Sequence, residues 1–214
     1  MIVMQPVLEI YAPDDFALWP IAAWKQFEYL TLNGGLDPAE VGIAIMRIAE
    51  CNDLDPDPEN GDDRPPRPAD PTESFLHGLL TFDSLHVTGG LRVTDTSTGI
   101  TFVPGCCGGL EDWRDWSSVT DGTGAAMFGH DPVALAERDG DTVRLTVDRE
   151  QSDSPVIELP VTDLRHLLAG AERDLTDFHQ LAANWIAQHL PDQAIRVTAA
   201  VADALDLLQP NAAP

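Results

Sequence analysis

At Pro160 the hydrophobic period of this chain changes, and no other feature restricts its fold so strongly. Before it, Thr142-Val143-Arg144-Leu145-Thr146-Val147 alternates, with Val143, Leu145 and Val147 set against Arg144, Thr146 and Asp148. A period of two sends successive side chains to opposite faces, which predicts a strand with one wet face. After it, Leu164, Leu167, Leu168, Ala171, Leu175, Phe178, Leu181, Ala182, Trp185 and Leu190 recur at three- and four-residue steps. That spacing predicts an amphipathic helix, with Gly170 read as a break and Pro191 as the stop. Ile195 to Leu208 repeats the helical pattern more weakly. Strands followed by helices indicate an α+β fold.

Further strands are expected at Leu85-His86-Val87, Leu91-Arg92-Val93, Ile100 to Val103, Val133-Ala134-Leu135 and Val156 to Leu159. Turn-rich pieces at Asp95 to Gly99, Arg138 to Asp141 and Gln151 to Pro155 join them. The reading is a single domain, 1–214, whose central antiparallel sheet over about Leu85 to Leu159 is flanked by N-terminal and C-terminal helices. Met1 to Ala12 reads as a short strand, with Pro6 marking an edge or a strand start. Phe16, Trp19, Ala23, Trp24, Phe27 and Leu30 predict a helix entered at Asp14-Asp15 and closed at Asn33-Gly34-Gly35. Asp37-Pro38-Ala39-Glu40 carries a second start signal: N-cap acid, Pro at the first helical position and Glu two residues later. Val41, Ala44, Ile45 and Ile48 would line its inner face, although Val-Gly-Ile-Ala-Ile also suits a strand.

Asn52 to Glu73 has six prolines, eight acids and one bulky apolar residue, Leu54. So little apolar surface cannot offset ordering, and a flexible acidic surface loop is expected at about 52–73. Over the whole chain 36 acidic residues face 12 basic ones, a net charge of −24; 25 of the acids are Asp, and Lys25 stands beside eleven arginines. Such a field repels nucleic acid and anionic membrane and favours a basic protein partner. A GC-rich coding sequence or a salt-adapted proteome would produce the same lysine-poor, aspartate-rich composition. The three cysteines are an odd count. Cys106 and Cys107 are neighbours, and a disulfide between adjacent residues needs strained geometry. With no secretory-signal pattern and no membrane-length apolar run, a reduced cytoplasmic protein is expected.

Thr101 to Pro132 spends its residues unusually. It holds Gly105-Cys106-Cys107-Gly108-Gly109, Trp113 and Trp116, and Gly129-His130-Asp131-Pro132. The element Phe102-Val103-Pro104-Gly105-Cys106-Cys107-Gly108-Gly109-Leu110-Glu111-Asp112-Trp113 resembles the F-x-P-G-C-C-x-G-L-E-x-W phrase of an actinobacterial-type protein family with no known activity. The resemblance extends to Gly129–Pro132 and to 142–168, about half the chain. It implies one coherent domain and brings no chemistry.

From the residues themselves, a thiol at a glycine-rich strand exit is a candidate nucleophile once an imidazole lowers its pKa. This gives Cys106 or Cys107 as nucleophile, His130 as base and Asp131 or Asp112 as orienter. A structural role is the commoner one for such thiols, with at least one buried against Trp113 or Trp116. A metal site on Cys106, Cys107, His130 and a carboxylate is discounted, since adjacent ligands sit awkwardly on a tetrahedral ion and the usual C-x₂-C spacing is missing. Phosphate-loop, dinucleotide, zincin, EF-hand and serine-hydrolase motifs are absent from the sequence, so no cofactor is expected. The leading expectation is therefore an acidic interaction module of immunity or inhibitor type. Its contact residues would be Asp53, Asp55, Asp57, Asp62 and Asp63, with Glu111, Asp112, Asp115, Trp113 and Trp116. A cysteine-dependent hydrolase or transferase is the alternative.

Overall fold

Two four-stranded antiparallel sheets share one hydrophobic core with a 29-residue helix. The computed structural model describes residues 1–11, 15–121 and 124–208, so the helix start expected at Asp14 lies outside the described residues. Ile2–Glu9 (β1), Tyr29–Thr31 (β2), Gly89–Asp95 (β3) and Ile100–Phe102 (β4) form one sheet in the order β2-β1-β3-β4. Ala125–Met127 (β5), Leu135–Asp139 (β6), Thr142–Thr146 (β7) and Val156–Pro160 (β8) form the other, in sequence order. The α+β class and the antiparallel pairing hold. The strands divide between two sheets rather than one, because β1 and β2 recruit β3 and β4 away from the meander that follows. Leu85-His86-Val87 is irregular and leads into an isolated bridge between Thr88 and Gly109.

β1 is an interior strand, so Pro6 does not mark an edge. Glu9 N–H donates toward β3, at Thr88 O, and Ile10 N–H toward β2, at Glu28 O. By alternation the Pro6 nitrogen faces the β2 side, where β2 has already ended at Thr31. Only Leu32 N–H reaches back, to the Pro6 carbonyl at 2.9 Å, so the missing donor interrupts nothing.

Pro38–Glu50 (α1) begins with the expected capping box. The Asp37 side chain accepts from Ala39 and Glu40 N–H, and the Glu40 carboxylate accepts from Asp37 N–H at 2.8 Å. Val41 through Met46 are all buried, which is why this helix shows no clean amphipathic stripe. The helix expected over 16–30 does not form. Residues 16–28 are an irregular segment crossing α1, with Trp19 Nε1–H donating to Gly42 O (2.9 Å) and Ala22 N–H to Ala39 O (2.9 Å). Its aromatic spacing serves a ring cluster instead: Phe16 and Trp19 meet edge-on at 4.9 Å, and both contact Phe75. The run 52–73 carries a short 3-10 turn at Pro58–Asn60. It leads into Pro71–Phe75 (α2) and His77–Thr81 (α3).

Trp113–Asp115 forms a 3-10 turn that continues into the short helix Trp116–Thr120 (α4). Val161–His189 (α5) runs unbroken through Gly170, where an added Cβ would meet only Arg173 Nη2 at 3.8 Å. Tertiary packing of Leu164, Ala171, Leu175, Phe178, Ala182 and Trp185 overrides one weak helix former. α5 ends before Pro191, as expected, and packs on β1, β7, β8, α1 and Ala194–Ala204 (α6). No helix among the described residues is long and apolar enough to cross a membrane.

Candidate functional site

Beyond β4 the chain turns at Pro104-Gly105 and runs beside residues 128–132. Gly105 N–H donates to Phe128 O at 2.7 Å, and Cys106 and His130 form an isolated antiparallel bridge. Glycine on both sides permits the approach. A Cβ on Gly105 would lie 2.2 Å from the Pro132 carbonyl oxygen, and one on Gly129 would lie 2.5 Å from that of Gly105. Gly129 also has φ +87, a conformation that side chains disfavour. Below the corner, Trp116 stacks on Phe128 at 4.3 Å and meets Phe102 edge-on at 5.7 Å. The Tyr29 hydroxyl donates to Pro104 O at 3.1 Å. Burial and the Glu9 carboxylate push its pKa up to about 12, which keeps the donated proton in place.

Cys106, Cys107 and His130 therefore meet at the surface. All three are exposed, and one ligand-type atom from each lies within 4.8 Å of the other two. The two sulfurs are 3.8 Å apart. On extended backbone adjacent side chains point to opposite faces; the left-handed conformation of Cys107, φ +63, removes that alternation. The expectation that a thiol is buried against Trp113 or Trp116 is overturned: both thiols are exposed, and Trp116 packs on Phe102 and Phe128 instead. The thiol of Cys106 is pushed up from its ordinary pKa, first by its hydrogen bond to Cys107 and then by that neighbour's charge. His130 Nδ1–H donates to the Cys106 carbonyl at 2.9 Å, so a backbone oxygen orients the ring. Asp131 is exposed, at φ +51, and makes no hydrogen bond to His130 among the described residues. Asp112 sits among Glu111, Asp115, His86 and Asp206 instead.

Those carboxylates form the second half of the site. Glu111 is drawn inward: it accepts from Val87 N–H at 2.8 Å and from His86 Nδ1–H at 2.5 Å. The bond to Glu111 raises the His86 pKa, with the Glu111 and Asp112 charges adding to it against desolvation. Burial first, then Glu111 and Asp115, lifts Asp112 above the usual carboxylate range. Asp206 is lifted by burial and by Asp203 and Asp115, against the pull of Arg114. Arg114 bridges Asp206 at 3.1 Å and Glu172 at 3.0 Å and lies over the Trp113 ring at 4.2 Å. A cleft of about 70 Å³ has Asp112 and Asp115 on one wall and Cys107 and Gly129 among its other lining residues. Cys107, Asp112 and Asp115 thus border one small cleft.

Trp113 and Trp116, expected on the contact surface, are 5% and 1% exposed. The indole N–H of Trp113 donates to Leu205 O at 3.0 Å, so both rings form the floor beneath the acids. Three of the six acids of the 53–63 run are paired by the two arginines that follow it. Arg67 pairs with Asp53 and Asp55, each at 2.5 Å, and Arg64 pairs with Asp62 at 2.7 Å while its guanidinium lies over Phe82 at 3.5 Å. Asp57 accepts from Asn60 Nδ2–H at 2.6 Å, and Asp63 is exposed. This run adjoins the cluster, since Asn52 and His86 exchange two hydrogen bonds at 2.9 and 3.0 Å.

His86, Arg114, Asp203 and Asp206 complete the cluster and were not signalled by the sequence, because no local motif ties residues beyond α6 to the Glu111 turn. No protein-family model, curated protein or solved structure matches the chain. The site is therefore read from its own chemistry.

Proposed function

We propose that this protein is an acidic interaction module that binds a basic protein partner, as an immunity or inhibitor protein does. The observation supporting it is the gathering of Glu111, Asp112, Asp115, Asp203 and Asp206: burial first, and then the neighbouring carboxylates, lift the proton affinity of Asp112 and Asp206. Like charges held together disfavour one another's ionised form, and an arriving cation relieves that penalty. Asp112 and Asp115 are exposed and can accept paired hydrogen bonds from a guanidinium. The net charge of −24 steers a basic partner toward the surface. Asp63 and Asp55, at the outer side of the adjoining run, extend the contact, while Trp113 and Trp116 support it from below. Surface thiols on this face suit a reducing cytoplasm.

The test compares Asp112→Asn/Asp115→Asn with Asp139→Asn/Asp141→Asn, an equal charge change on the β6–β7 hairpin. Binding of an arginine-rich peptide is followed by titration calorimetry at several salt concentrations. The reading expects the first pair to weaken binding about tenfold more than the second. Equal losses from the two pairs would reduce the acidity to composition.

A second reading, a hydrolase or transferase using Cys106 or Cys107 with His130 as base, is favoured by their convergence within 4.8 Å. The thiolate would add to an electrophilic carbon and the imidazolium would return the proton to the leaving group. The raised pKa of Cys106 weighs against it. Iodoacetamide labelling across pH decides: rapid alkylation well below a pH of about 8.5 supports an activated thiol, and an ordinary thiol profile removes it.

A further inference from the structure

We propose that Cys106, Cys107 and His130 form a site for a thiophilic divalent cation of the zinc type, a binding property beyond the interaction reading and independent of it. Two thiolates held by one tetrahedral ion at about 2.3 Å each stand roughly 3.8 Å apart. The two sulfurs here stand 3.8 Å apart. Adjacent ligands, expected to sit awkwardly on a tetrahedral ion, are accommodated here because the φ of +63 at Cys107 puts both sulfurs within reach of one point.

The third ligand is oriented as metal-binding imidazoles usually are. His130 donates its Nδ1–H to a backbone carbonyl, that of Cys106, at 2.9 Å. This fixes the tautomer whose lone pair lies on Nε2, and such outer bonds commonly set both ring direction and basicity in metal sites. The bonded carbonyl belongs to the first cysteine, so the third ligand is tied to the backbone that carries the other two. Glycines 105 and 129 and the Tyr29 bond to Pro104 hold that frame in place. Three protein ligands leave a fourth position to solvent, the arrangement of an open zinc site. Asp112 and Asp115 border the same cleft as Cys107, so the local field attracts a cation. On binding, each thiol loses its proton to buffer as an S–metal bond forms, and no electron is transferred.

The experiment uses the full reduced chain with Zn²⁺ in competition with a chromophoric chelator, and Cd²⁺ to read thiolate-to-metal charge-transfer absorption. One ion per chain is expected. Cys106→Ser and Cys107→Ser should each weaken Zn²⁺ binding by about 100-fold, and His130→Gln by about tenfold, while Cys51→Ser leaves it unchanged. Exposed thiols tolerate serine, and circular dichroism checks that each variant folds. A second readout needs no variant: binding at neutral pH should release about two protons per ion. Zn²⁺ affinity unchanged by Cys106→Ser and Cys107→Ser, indifference to His130→Gln, or binding without proton release would each overturn the site.

Discussion

His130 and Cys106, 24 positions apart, are joined twice through one oxygen: the backbone N–H and the ring Nδ1–H of His130 both donate to the Cys106 carbonyl at 2.9 Å. The backbone bond depends on how closely the two segments approach, and that approach depends on glycine. Gly105→Ala should therefore destabilise the fold by about 2 kcal/mol or more, since the new methyl meets backbone that cannot retract. Gly109→Ala should cost less, because a Cβ there meets the Glu111 carboxylate, which can yield at the expense of its bonds to Val87 and His86, and not backbone. Chemical denaturation of both variants ranks them, and equal losses would remove the steric account of the corner.

Gly170 offers the opposite case. It lies inside α5, where a methyl would meet nothing closer than Arg173 Nη2 at 3.8 Å. Gly170→Ala should raise stability by about 0.5–1 kcal/mol through helix propensity alone. A loss in thermal denaturation would show that the helix needs flexibility at this point.

His77 is 4% exposed, and neither ring nitrogen has a hydrogen-bond partner among the described residues. Burying a polar group without a partner is costly, whereas an apolar replacement of similar size removes that cost. His77→Leu should hold or improve stability, by about 1 kcal/mol at most. A large loss in denaturant unfolding would mean the imidazole is satisfied in solution.

Stability should peak at mildly acidic pH. The His86 pKa is raised by Glu111, so its contribution is complete below about 6.5 and is lost as pH rises through the raised value. Asp112, Asp174 and Asp206 have raised values, so the penalty they carry at neutral pH is relieved as pH falls toward about 4. Asp95, lowered to about 2 by Ser97 and Thr98, and Asp62, held low by Arg64, act in the other direction. Their contributions are present above about 4 and lost as pH falls below it. Melting at pH 5.5 should exceed that at pH 8 by about 2–4 °C. A higher melting temperature at pH 8 would contradict the clustered-carboxylate account.

The regular elements were legible where one local rule governed them: the capping box at Asp37, the alternation at 142–147, and the long helix ended before Pro191. Sequence reading failed where side chains answered to distant partners. Phe16 and Trp19 have helical spacing but serve a ring cluster with Phe75, and the α1 run looks strand-like because it is buried on several sides. At the site, Cys106, Cys107 and His130 could be paired from their glycine-flanked turns. That both thiols lie exposed could not, since Trp116, an expected partner, packs on Phe102 and Phe128 from other parts of the chain. Asp206 was out of reach because it lies past α6 and joins the acidic cluster through its bridge to Arg114 and the docking of Trp113 on Leu205.

Residue-resolved NMR titration with an arginine-rich peptide tests the central claim most directly, because it separates a built acidic site from a uniformly acidic surface. The account predicts that amide and carboxyl shifts concentrate at Glu111, Asp112, Asp115, Asp203 and Asp206, with His86 responding through Glu111. Shifts spread evenly over exposed acids, with Asp139, Asp141 and Asp192 moving as much as Asp112, would contradict it.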